Sequence, residues 1–145
     1  MRIRRGPCNA VLLAIVLYVK QTSAAEDPIS RALSLFAPDE IAAMPRVVLA
    51  TMRPERVAAD VEGYTVPGYP VIYIAAWSET HRAAMTGDRD AIIKLAGIIA
   101  HERTHIAEGP DERTAYVAEI LMLRRCGASA AMIDGVRRSM RAVVR

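Results

Sequence analysis

His101-Glu102-Arg103-Thr104-His105 lies inside a run from Ala91 to about Glu108 that predicts one long helix. Ile92, Ile93, Leu95, Ile98 and Ile99 make its first half apolar nearly all round, as expected of a central buried helix. Residues four apart on a helix sit on one face. His101 and His105 can therefore offer two imidazole nitrogens to one metal ion, the first two ligands of a zinc site. Glu102 turns toward the same mouth. It is placed to take a proton from water activated by the metal and to pass it to a leaving amine. Three histidines and nine glutamates scattered at random over 145 residues would give H-E-x-x-H in roughly 0.4% of such chains. The bland alternative is two surface histidines and a solvated glutamate on an amphipathic helix.

A catalytic zinc needs a third protein ligand and an open fourth position. Gly109-Pro110 stops the motif helix, and Asp111 can cap a return helix to about Arg125. Glu112, in the first turn of that helix, is the leading candidate for the third ligand. Asp111 is the alternative, although its position suits the cap. Glu108 is seven residues from His101, about 10 Å along the axis, too far to converge with both histidines. Glu119 lies two turns further along the face of Glu112 and is placed to orient a histidine from behind.

The rest of the chain frames this pair of helices. Asp27-Pro28 and Pro38-Asp39-Glu40 begin two short helices. Val47 to Met52 and Val71 to Ile74 predict strands. Pro54 to Asp60 suggests a helical turn, and Gly63 to Gly68 a loop with a Pro67-Gly68 turn. Ser78 caps a helix to Met85, with His81 expected on its exposed side. Ser129 starts a last helix whose Met132, Ile133, Val136, Met140 and Val143 form an apolar side. Gly97, one turn before His101, suggests close approach of a neighbouring element. His81, Tyr69, Tyr73 and Tyr116 are candidate donors to a developing oxyanion, with ordinary packing as the competing role of each.

Residues 1–25 have the pattern of a secretory signal peptide: Arg2, Arg4 and Arg5, an apolar run from Cys8 to Val19, then Ser23-Ala24-Ala25. That run is about half of what a membrane-spanning helix needs, which argues against an uncleaved anchor. Residues 26–145 are then one domain. Removing Arg2, Arg4, Arg5 and Lys20 from 19 basic residues leaves 15 against 16 acidic ones, a net charge of −1. The basic balance of the full chain therefore points to no nucleic-acid partner, and no stable membrane association is expected after cleavage. Cys126 is left without an intramolecular partner and reads as a helix-end core residue.

His101-Glu102-Arg103-Thr104-His105 followed by Glu112-Arg113-Thr114-Ala115-Tyr116 resembles the gluzincin group of zinc metallopeptidases, in particular its minimal bacterial members. The resemblance covers roughly Val71 to Arg125. It implies an α+β, mainly helical, zincin-like domain: a small sheet on a central motif helix, then a helix carrying the glutamate ligand. It also implies a Zn²⁺ cofactor, a peptide or protein substrate, and Val71 to Ile74 as the edge strand that aligns the substrate; the signal-peptide pattern of residues 1–25 adds a periplasmic or secreted location. The spacing to Glu112 is shorter than in larger members. It approaches the metzincin pattern H-E-x-x-H-x-x-G-x-x-H/D, with Asp111 in the third-ligand place, but Glu108 stands where that pattern needs glycine. A non-catalytic zinc-braced binding module, with Asp111 or Glu119 as fourth ligand, is the second reading.

Overall fold

The computed structural model describes residues 27–143, so the signal-peptide expectation for residues 1–25 lies outside the described residues. The described chain is an α+β domain of six helices and one three-stranded sheet. Two short helices open it. Asp27 accepts from the Ser30 amide at 3.2 Å, starting α1 (Pro28–Leu33). Glu40 reaches back to the Ala37 amide at 2.8 Å, closing the start of α2 (Pro38–Ala42).

The strands are β1 (Arg46–Ala50), β2 (Gly63–Val66) and β3 (Tyr69–Ala75), in the order β1-β3-β2. β1 runs parallel to β3, and β2 runs antiparallel to it. This corrects the expected sheet in two places. The segment read as loop supplies β2 and the two-residue Pro67-Gly68 turn of a hairpin. The Val71 to Ile74 segment is therefore the central strand, and the edge beside the motif helix is β2. A central strand must bury its inward side chains, and Ile72 and Ile74 are fully buried. Between β1 and β2 the chain makes turns, with Val57 N–H donating to Pro54 O at 3.0 Å, and no helix forms over Pro54 to Asp60.

The remaining helices are α3 (Glu79–Met85), α4 (Arg89–Glu108), α5 (Glu112–Arg125) and α6 (Ala130–Val143). Side-chain oxygens of Ser78, Asp88, Asp111 and Ser129 accept from the amide three residues on and start each helix. α4 is the core of the molecule. Leu95 and Ile99 pack with Ile72 and Ile74, while Ile93 joins Ile120, Leu123 and Val136 between α4, α5 and α6. Each such side chain contributes about 1.5–3 kcal/mol by leaving water. His81 lies within this packing rather than on the surface. It is 5% exposed, because α3 turns that face inward against α4. Cys126 is the half-buried C-cap of α5, as expected. No described helix is long and apolar enough to cross a membrane.

Two glycines set the distances between elements. A Cβ on Gly97 would meet Leu123 Cδ2 at 2.9 Å and Glu119 Cγ at 3.3 Å, so its absence lets α5 lie close to α4. A Cβ on Gly63 would stand 2.5 Å from Ile98 Cγ2 and 3.4 Å from Glu102 Cγ, so its absence seats β2 on the motif helix. The Ile98 methyl is branched at Cβ and cannot swing aside freely. Gly63→Ala is expected to lower unfolding stability by about 1–3 kcal/mol, as measured by urea denaturation. An unchanged urea midpoint would show that β2 does not rest on Ile98.

Candidate metal centre

Three side chains converge where α4 ends and α5 begins. His101 and His105 project from the last turns of α4, and Glu112 from the first turn of α5. Their ligand atoms form a triangle. The two Nε2 atoms are 3.1 Å apart; His101 Nε2 lies 3.5 Å from Glu112 Oε2, and His105 Nε2 lies 3.5 Å from Glu112 Oε1. Zinc binds nitrogen at about 2.0–2.1 Å in tetrahedral geometry, which puts neighbouring donors about 3.3 Å apart. The separation of the two Nε2 atoms is close to that value, and one donor atom from each of the three residues lies within 4.8 Å of the others.

The other ring nitrogens fix which lone pairs face the triangle. His105 Nδ1 lies 3.0 Å from the Gly109 carbonyl, which can only accept, so this nitrogen carries a proton. Its Nε2 then presents a lone pair. His101 Nδ1 lies 3.1 Å from the Glu119 carboxylate, the arrangement that orients a metal-binding imidazole from behind. With both rings neutral, two lone pairs and a carboxylate face one another across less than 4 Å. A cation shared among the donors would balance this set, and nitrogen and oxygen ligands of this kind suit a divalent metal such as zinc.

Burial pulls the His101 pKa down, but the Glu119 carboxylate beside it, with Glu102 and Glu112, more than compensates, and the net shift is upward. Glu102, 8% exposed, is raised by burial, with the imidazoles and the Thr65 hydroxyl opposing. A carboxyl raised toward neutrality is suited to accept and return a proton. Tyr116 is raised by burial and by the carboxylates of Glu112, Glu119 and Glu102, so its phenol keeps its proton.

The structure thus brings together His101, His105, Glu112 and, behind them, Glu119. It places Glu102 in the same cavity, of about 830 Å³, together with Tyr116. The Tyr116 ring stands edge-on to His101 with centroids 4.7 Å apart. Asp111 is drawn away from the triangle. Its carboxylate caps α5 by accepting from the Thr114 amide and hydroxyl, and those bonds hold its pKa down. Among the described residues, His101, His105 and Glu112 are the group of His, Cys, Asp and Glu placed to share one ion. The other oxyanion candidates disperse. Tyr73 stacks on Tyr64 at 5.0 Å, His81 is buried in α3, and Tyr69 borders a second cavity beside His105 and Glu112.

Sequence reasoning missed Gly63 and Thr65, which border the larger cavity. A hairpin signal was present, since Gly63-Tyr64-Thr65-Val66 precedes a Pro-Gly turn and a strand. No family model, curated protein or solved structure matched the chain.

Zinc titration of metal-free protein is expected to give one site per chain. Glu112→Ala should lose it and Asp111→Ala should keep it. Glu119→Gln should weaken it by about 10–100-fold. Equal affinity in wild-type and Glu112→Ala would place the ion elsewhere.

Proposed function

We propose that this chain is a small exported zinc peptidase of the zincin type, with His101, His105 and Glu112 as zinc ligands and Glu102 as proton carrier. One observation carries the reading. The donor triangle shares its cavity with a buried carboxyl on the same helix and with the free edge of a β-strand. Glu62 and Ala75 are hydrogen-bonded partners across β2 and β3. By the alternation of an antiparallel ladder, the Gly63 and Thr65 main-chain groups then point away from β3. An extended peptide can pair with them, as strands added to sheet edges do.

A zinc ion held by His101, His105 and Glu112 would supply Lewis acidity to the attacking water and to the carbonyl. The protein's own groups do the rest. Glu102 accepts the proton released as water attacks, then returns it to the amine as the C–N bond breaks. Burial raises its proton affinity, so both transfers are feasible at one pH. Glu119 holds the His101 ring in place. Tyr116, which keeps its proton, donates a hydrogen bond to the oxygen that gains charge. The leader-like residues 1–25 motivate the exported location.

The second reading, a closed structural zinc with a fourth protein ligand, requires Asp111 or Glu119 at the triangle. Asp111 is committed to the Thr114 cap, and Glu119 contacts Nδ1 of His101 rather than the Nε2 side.

Glu102→Gln is expected to keep its zinc and lose at least about 100-fold in peptide hydrolysis. Full activity in that variant would remove Glu102 from the chemistry. Tyr116→Phe should lower kcat about 100-fold with little change in KM. The reverse pattern, a raised KM at constant kcat, would make Tyr116 a substrate-binding residue.

A further inference from the structure

Two cavities meet at the donor triangle. The larger is about 830 Å³ and the smaller about 570 Å³, and Thr65, His105 and Glu112 border both. They are the two halves of one cleft beside β2, and they differ in chemistry. The larger half holds Asp60, Glu62 and Lys94, with Lys94 Nζ 2.8 Å from Glu62. The smaller is walled by Val66, Pro67, Tyr69, Pro70, Ile106 and Pro110. Tyr69 is 65% exposed and Val66 39%. Single exposed apolar residues need no explanation. Here several converge on one concave space beside the proposed metal, as the walls of ligand sites do.

The strand gives this asymmetry a direction. β2 runs from Gly63, in the larger half, to Val66, in the smaller. Antiparallel pairing is the more stable ladder. A peptide paired that way on β2 runs from the smaller half toward the larger. The residue just before the bond at the triangle then falls in the apolar half.

Resting on the peptidase reading, we infer that the smaller cavity receives a large apolar side chain immediately amino-terminal to the cleaved bond. Residues after the bond lie against Lys94, Glu62 and Asp60, in the polar half. Tyr69 and Val66 are the specificity-determining residues most open to substitution, because they pack little within the fold.

Two readouts test this. Zinc-loaded wild-type protein is given a mixed peptide library and the product ends are sequenced by mass spectrometry. Separately, capped hexapeptides differing only by Phe or Ser at one position are titrated into metal-free Glu102→Gln protein. Cleavage is expected after Phe, Leu or Met, and the Phe peptide should bind about tenfold tighter than the Ser peptide. Tyr69→Ser and Val66→Thr should each reduce that preference while leaving the thermal midpoint unchanged. Preference on the carboxyl side of the bond, or a preference that both variants retain, overturns the inference alone. Equal binding of the two peptides overturns it too, whatever the activity. Selective binding without hydrolysis overturns the peptidase reading, and with it the assignment of the cavity to a cleaved bond.

Discussion

The close approach of α4 and α5 at Gly97 is the constraint on which the centre depends. A methyl there would press on Leu123 and on the stem of Glu119. With hydrogen in its place, α5 lies near enough for Glu119 to reach His101 Nδ1 and for Glu112 to reach both Nε2 atoms. Glu112 and Glu119 are seven residues apart, two turns of one helix, so one packing distance positions both. The tight turn at Gly109-Pro110 completes the hairpin, and the Gly109 carbonyl anchors the second imidazole.

That geometry has an electrostatic consequence. Glu102, Glu112 and Glu119 surround two imidazoles in a half-enclosed cavity. Without positive charge at the triangle, the fold would hold three carboxyls and two facing lone pairs for no return in stability. The upward shifts of His101 and Glu102 are the same imbalance expressed as proton affinity. On the proposed reading, a divalent ion at the triangle would balance these charges and bind there in competition with protons. Elsewhere the ion pairs are satisfied internally. Arg103 and Arg125 share Glu40, and both stand over the Phe36 ring, tying α2 to the back of the motif helix.

Much of this was legible in the sequence because it is local. Helix spacing puts His101 and His105 on one face whatever surrounds them. Ser78 and Asp111 announced their helices by capping chemistry, and the cap explains why Asp111 is not at the triangle. Gly97 signalled close packing because glycine inside a helix has a cost that something must offset. What the sequence concealed is non-local. Val71 to Ile74 looked like an edge strand, but its place in the sheet depends on whether a partner lies on both sides. The second partner, Gly63 to Val66, carries strand-forming Tyr64, Thr65 and Val66, but four residues starting with glycine before a Pro-Gly turn also read as loop, and pairing with β3 decides between the two. The burial of His81 likewise depends on how α3 docks on α4.

The central claim is that His101, His105 and Glu112 hold one zinc with its fourth position open to solvent. Anomalous diffraction at the zinc edge from crystals of the zinc-loaded protein tests it most directly. The account predicts a single peak at about 2.0–2.2 Å from both Nε2 atoms and a Glu112 oxygen, with the remaining coordination position facing the cavity lined by Glu102 and Tyr116. A peak at another place in the fold, or a fourth protein ligand closing the site, would contradict it.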